Sequence, residues 1–187
     1  MTYRVGYFVG SLSKESINRV LANALISVAP EDLEFFEIGI ADLPLYNRDL
    51  DENYPPEATA LKDAIHSAHA ILFVTPEYNR SIPGALKNAI DWASRPWGQN
   101  AFVNLPTAVI GASPGNLGTA VAQHSLRAVL SFLNTRQMTS PEAYVTFDQA
   151  DFGPDGQLSD RTRDFLAGFV TEFRDHIERV LTVLPRH

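Results

Sequence analysis

The sequence predicts an α/β fold: a doubly wound, five-stranded parallel sheet in the order 2-1-3-4-5, with helices on both faces. Three observations lead there. Short runs such as Ile71-Leu72-Phe73-Val74-Thr75 are apolar throughout rather than alternating, which is the pattern of a strand buried on both faces. Five such strands alternate with five helical stripes, and that alternation calls for parallel pairing through right-handed crossovers. The segments after strands one, three and four are polar or rich in glycine and serine. In the 2-1-3-4-5 order the chain reverses between strands one and three, so those segments meet at the carboxyl edge, where open α/β sheets bind their ligands.

The elements follow in order. Tyr3 to Val9 reads as the first strand. Gly10 to Asn18 is a glycine-serine turn, and Ser16 is placed to cap a helix with the stripe Val20, Leu21, Ala24, Leu25 and Val28. The open N–H groups and positive dipole end of that helix, with serine hydroxyls beside them, suit a dianionic phosphate. The turn matches neither a Walker loop nor G-x-G-x-x-G. Leu33 to Ile38 is a second strand. Residues 39–56 form a long irregular segment that Leu43, Leu45, Tyr46 and Leu50 are expected to pack down. A helix is expected from Glu57 to Ala70, and then the third strand. Pro76 stops that strand, Glu77 to Ser81 is a polar turn with one aromatic ring, and Pro83 opens a helix that closes near Ser94-Arg95-Pro96. Trp92 and Trp97 flank that break; packing onto the domain is the expected role of each. Pro106 to Ala112 is the fourth strand, Ser113 to Thr119 a glycine-rich turn, and Thr119 to Leu133 a helix. Its buried side is expected to carry Val121, Leu126, Val129, Leu130 and Leu133, with Gln123, His124 and Arg127 off that stripe. Met138 to Phe147 holds a proline-interrupted fifth strand, 152–156 a turn, and the last helix starts at a Ser159 or Asp160 cap.

At 187 residues with 45% hydrophobic and 20% charged residues, one domain is expected, residues 1–187. A net charge of −7 argues against nucleic-acid or anionic-membrane binding, which call for a basic face. No cysteine is present, which excludes disulfides, thiol catalysis and thiolate metal sites. The chain enters its first strand without a charged-then-apolar leader, and no apolar run reaches membrane-spanning length, so a cytoplasmic location is expected. His66 and His69 stand three apart with no third ligand marked, and read as surface histidines rather than a metal site.

The loops after strands one, three and four thus gather a phosphate cradle, an aromatic-amide turn and a glycine-rich turn at one rim, which suits a nucleotide-like ligand. The chain also resembles the NAD(P)H-dependent FMN reductases, flavodoxin-like proteins that include quinone and chromate reductases and related azoreductases. Three blocks carry the likeness. They are Gly10-Ser11…Ser16-x-Asn18-Arg19, Pro76-Glu77-Tyr78-Asn79-x-Ser81-Ile82-Pro83-Gly84-x-Leu86-Lys87-Asn88-Ala89-Ile90-Asp91-Trp92, and Ser113-Pro114-Gly115-x-x-Gly118 with Gln123 and Leu126-Arg127 after it. The resemblance implies that Ser11, Ser13, Ser16, Ile17 (through its N–H) and Asn18 hold the FMN phosphate. It implies that Pro76, Glu77, Tyr78 and Asn79 border the flavin ring and ribityl chain, and that Ser113, Gly115 and Gly118 lie by the ring system. Many relatives have arginine where this chain has Ser13, leaving Lys14 or the hydroxyls to meet the phosphate, and Arg80 stands where an aromatic is frequent.

By the same resemblance NADPH or NADH gives a hydride to bound FMN and leaves. A quinone, chromate, azo compound or free flavin then takes two electrons at the same face, so ping-pong kinetics are expected. The flavin carries the chemistry, and the sequence marks no catalytic acid–base dyad, no G-x-S-x-G serine and no metal site. Glu77 reads as a loop-orienting carboxylate. A homodimer or homotetramer is implied, with Tyr46, Arg80, Trp97, His124 and Glu142 as interface candidates. Two other classes fit the same fold: a flavodoxin-like FMN electron carrier that does not oxidise nicotinamide, and a flavin-free regulatory domain. A receiver-type regulator needs clustered aspartates at strand ends, and strand one ends in Val9-Gly10-Ser11.

Overall fold

The computed structural model describes residues 2–153 and 157–185. Strands β1 (Tyr3–Val9), β2 (Leu33–Glu37), β3 (Ala70–Val74) and β4 (Pro106–Ser113) are parallel and lie in the order β2-β1-β3-β4. Two short strands share the fifth place, β5 (Arg136–Gln137) beside Pro106-Thr107 and β6 (Ala143–Thr146) beside Ile110 to Ser113. The order is therefore the expected 2-1-3-4-5, with one correction: the fifth strand is split. Pro141 has no N–H for the ladder, and residues 139–142 leave it.

Side chains alternate across the sheet as a two-residue period requires. Val5, Tyr7, Val9, Leu72 and Val74 face α1 (Ile17–Ser27) and α5 (Asp160–Val183). Phe8, Ile71, Phe73 and Val109 face α2 (Pro56–His66), α3 (Gly84–Ala93) and α4 (Ala120–Phe132). Phe8 and Phe73 stack with centroids 5.3 Å apart. On α5, Leu166, Phe169, Val170, Phe173 and Ile177 form one buried stripe. Each fully buried Phe or Leu contributes about 1.5–3 kcal/mol, so two such layers hold the strands that carry the site.

Helix ends follow local chemistry. Ser16 Oγ accepts the Arg19 N–H at 3.3 Å and Ser159 Oγ that of Thr162 at 3.3 Å, while Pro56 opens α2. That helix stops at His66, short of the expected Ala70, because Ser67 closes it and Ala70 is already in β3. On α4 the expected stripe is rotated. Val121 is exposed, whereas Gln123 is 0% exposed. The polar residue is held inside by its Nε2, which donates to the Ala143 carbonyl at 2.8 Å and to Thr119 Oγ1 at 3.0 Å.

The long segment after β2 is strapped onto α3. Asn88 Oδ1 accepts the Tyr46 N–H at 2.8 Å, and the Pro44 carbonyl accepts from Asn88 Nδ2 at 2.9 Å and Trp92 Nε1 at 2.7 Å. Tyr46 and Tyr54 stand edge-on to the Trp92 ring, 5.0 and 5.1 Å away. Burial pushes the Tyr54 phenol up to about 12, which keeps it the donor to the Trp92 and Arg95 carbonyls. Leu43, Tyr46 and Leu50 pack down as expected, but Leu45 does not and is 84% exposed. Of the turn expected over 152–156, Pro154, Asp155 and Gly156 lie outside the described residues. No described helix is long and apolar enough to cross a membrane.

His176 on α5 meets the Arg136 carbonyl at 2.8 Å through Nε2. Burial lowers its pKa from 6.5, outweighing that hydrogen bond, which raises it. The folded chain therefore takes up this proton less readily than the unfolded one. Its contribution is complete above about pH 6.5 and is lost as pH falls through the lowered folded pKa. His176→Gln is expected to flatten the fall in thermal midpoint between about pH 7 and pH 5, read in melts at matched ionic strength.

Candidate functional site

The first loop follows β1. Gly10 N–H donates to Val74 O at 2.9 Å, so the loop leaves the sheet beside the end of β3. Ser11 is nearly buried; its Oγ accepts the Ser13 N–H at 3.3 Å and lies 3.4 Å from the Tyr78 hydroxyl. Ser13 is exposed. Ser16 caps α1, and the Ile17 and Asn18 N–H groups precede the first intrahelical bonds, leaving them to a ligand. Asn18 turns inward. It is 1% exposed, and its amide is taken up by β4, donating to the Ala112 carbonyl and accepting the Ala112 N–H, both at 2.9 Å. Its backbone N–H lies in the first turn of α1, ahead of the first intrahelical bonds.

The second loop is a tight hairpin. Tyr78 and Ser81 exchange backbone bonds of 3.2 and 3.0 Å, and Asn79 and Arg80 between them take φ of 52° and 62°. The hairpin pair does not use the Glu77 and Asn79 N–H groups. Tyr78 is half exposed above it. The Glu77 carboxylate, nearly buried, accepts the Ala122 N–H at 3.0 Å in the first turn of α4, while its other oxygen lies 3.5 Å from Arg80 Nη1. A carboxylate there complements the helix dipole, so Glu77 anchors α4 from the neighbouring loop.

The third loop follows β4. Ser113 Oγ donates to Gly115 O at 2.9 Å, and the Gly118 N–H closes on the same carbonyl at 3.2 Å. A side chain at Gly115 would meet nothing within 4 Å, which leaves open space above the loop. Gly118 takes φ +50°, and a Cβ there would lie 2.5 Å from the Tyr144 backbone. Thr119, buried, continues at φ +67°.

Three contacts thus knit the loops into one rim: Ser11 to Tyr78, Glu77 to Ala122, and Asn18 to Ala112. Free N–H groups and hydroxyls stand at the α1 end, an exposed ring in the middle, and open space at Gly115. That donor set fits a phosphate joined to a flat, hydrogen-bonding ring, as FMN is. The long-range partners Ala112 and Ala122 contribute backbone groups, which carry no sequence signature. Beside the rim, a groove of about 710 Å³ runs along α1 past Lys14 and Arg19 to Phe147 and Phe152, sharing Ser16 and Ile17 with the site. Among the described residues no cluster of three or more His, Asp or Glu side chains could hold a metal. Trp92 is fully buried, whereas Trp97 is 78% exposed, with the Arg95 guanidinium 5.7 Å above its ring.

Residues 3–150 match the NADPH-dependent FMN reductase family. The chain belongs to that family. It is 48% identical over 177 residues to a quinone reductase of Pseudomonas putida, covering 94% of this chain and 95% of that one. It is 45% identical over 174 residues to the 2-hydroxy-1,4-benzoquinone reductase of a Burkholderia species, covering 92% and 95%. The solved flavoenzyme NAD(P)H:(acceptor) oxidoreductase FerB from Paracoccus denitrificans superposes with a TM-score of 0.92 at 46% identity, covering 95% of this chain and 98% of that one. The fold is flavodoxin-like, and this family member is an NAD(P)H-dependent oxidoreductase.

Proposed function

We propose that the chain binds FMN at the three-loop rim and passes two electrons from NADPH or NADH to quinones by a ping-pong mechanism. Chromate, azo compounds and free flavin are further acceptors under this reading, since an open flavin face discriminates little among them. The observation that carries it is the joining of the phosphate-suited α1 end to the exposed Tyr78 turn through Ser11. FMN held there would supply the hydride-accepting and electron-donating chemistry. The protein's part is to hold and polarise. Ser11, Ser16 and the Ile17 and Asn18 N–H groups meet the phosphate, and Ser13 or Lys14 closes over it. The Glu77 and Asn79 N–H groups, which the hairpin pair leaves unused, and those of Gly115 and Asn116 in the third loop would face the negative charge that the reduced ring gains. Glu77 sets the spacing of those two turns and moves no proton.

Visible spectroscopy with anaerobic NADPH titration tests this directly. A colourless preparation that neither binds added FMN nor bleaches on reduction removes the proposal. Ser11→Ala sharpens the test. Losing one hydroxyl contact to a charged phosphate is expected to weaken FMN about tenfold, by roughly 1.5 kcal/mol. Riboflavin, which lacks the phosphate, should bind both forms alike by fluorescence quenching; an equal loss for both ligands places the phosphate elsewhere.

The reading extends to a cytoplasmic homodimer or homotetramer acting on small molecules, with neither nucleic acid nor membrane as partner. Exposed Trp97, together with His124 and Glu142 on the surface, supports a subunit contact, and half-buried Tyr46 lies in the strap held on α3. Sedimentation at micromolar concentration decides the assembly, and a monomer removes it.

A further inference from the structure

We propose that Arg80 recognises the phosphates of the reducing dinucleotide, a proposal that rests on the reading above and adds a residue to it. The turn it occupies is built for a different side chain. Asn79 and Arg80, at φ 52° and 62°, are the two central residues of a two-residue hairpin whose flanks are Tyr78 and Ser81. Such turns favour Asn-Gly, and glycine at the second place carries no steric penalty, whereas arginine does. Strain of this kind clusters at functional sites. The side chain held there is 66% exposed and stands next to Tyr78, on the turn that borders the proposed flavin.

Its neighbours leave it available. The approach to Glu77 Oε1 is 3.5 Å, longer than a good hydrogen bond, and the Glu77 carboxylate is already committed to the Ala122 N–H. Among the described residues, Arg80 Nε and Nη2 make no hydrogen bond. By contrast, Arg19 grips Glu37 through two bonds of 2.6 and 2.8 Å, and Lys87 binds Asp91 at 2.8 Å. Lys14 belongs to the first loop, where the FMN phosphate is placed. A dinucleotide with its pyrophosphate, and NADPH with a further 2′-phosphate, must approach a chain of net charge −7. A weakly engaged guanidinium at the mouth supplies the local attraction and the forked geometry that phosphate takes.

Arg80→Gly separates this role from a structural one, because it relieves the turn. The thermal midpoint is expected to rise. The Kd for NADP⁺, measured by calorimetry on the flavin-loaded protein, is expected to rise about tenfold, as is the KM for NADPH. The ratio of NADPH reactivity to that of phosphate-free N-benzyl-1,4-dihydronicotinamide should fall by the same factor, and Arg80→Lys should restore part of it. A loss confined to NADPH assigns the contact to the 2′-phosphate; a loss shared with NADH assigns it to the pyrophosphate. An unchanged ratio, or a change in sedimentation that accounts for the loss, overturns the proposal. A parent protein whose flavin neither dinucleotide reduces overturns the functional reading instead.

Discussion

Asn18→Ala is expected to destabilise the fold by about 4 kcal/mol and to lower the flavin recovered per chain. The substitution strips both partners from the Ala112 N–H and carbonyl in a fully buried place, and each stranded group costs about 1–3 kcal/mol. The effect reaches the site because this one amide fixes the first turn of α1 against the end of β4, just before the Ser113 loop. Asn18→Asp makes the mechanism visible. The carboxylate still accepts the Ala112 N–H but sets a negative oxygen against the Ala112 carbonyl. Burial and that repulsion raise its folded pKa above the usual value near 3.9. The folded form then holds the proton more tightly than the unfolded form, so the variant gains relative to the parent as pH falls and loses as pH rises through the raised pKa. Denaturant melts at about pH 4.5 and pH 7.5 check this; a penalty that does not shrink at the lower pH contradicts the pairing.

Gly111→Ala is expected to cost about 3 kcal/mol or more and to lower the thermal midpoint by about 10 °C, or to prevent folding. A Cβ on Gly111 would fall 2.1 Å from the Thr75 carbonyl oxygen and 2.3 Å from Thr119 Oγ1. The first is backbone at the end of β3, bound to β4 through the Thr75 N–H and Ile110 O at 2.9 Å, so it cannot yield without opening the sheet. The second belongs to a β-branched residue in the left-handed region, already strained. Gly39→Ala, where a Cβ meets nothing within 4 Å, is the control and should melt within about 2 °C of the parent.

Local chemistry made most of the architecture legible. The apolar run before Pro76 and the prolines and serines at helix starts carry their message within a few residues, and β1, β3, β4 and α3 appear within a residue or two of expectation. The three loops gather at one edge because strand order alone puts them there. What the sequence did not announce depends on distant partners. Gln123 is polar and lies off the apolar stripe, but the Ala143 carbonyl, 20 residues on, draws it in. Asn18 stands in the loop that suits a phosphate, and its amide pairs with Ala112, 94 residues away. The apolar character of Leu45 predicts burial, but the strap of Asn88 and Trp92 on the residues beside it turns it outward.

The split fifth strand bears on how the protein behaves in a crowded solution. An outer strand of a sheet offers unpaired backbone groups to any neighbour, and long flat ones seed edge-to-edge aggregation. Here that margin consists of a two-residue and a four-residue piece with Pro141 between them, and the opposite margin is the five-residue β2 carrying Glu34 and Glu37. Neither side gives another chain a continuous template. The interruption that spoils the ladder therefore also guards the protein against fibre-like stacking.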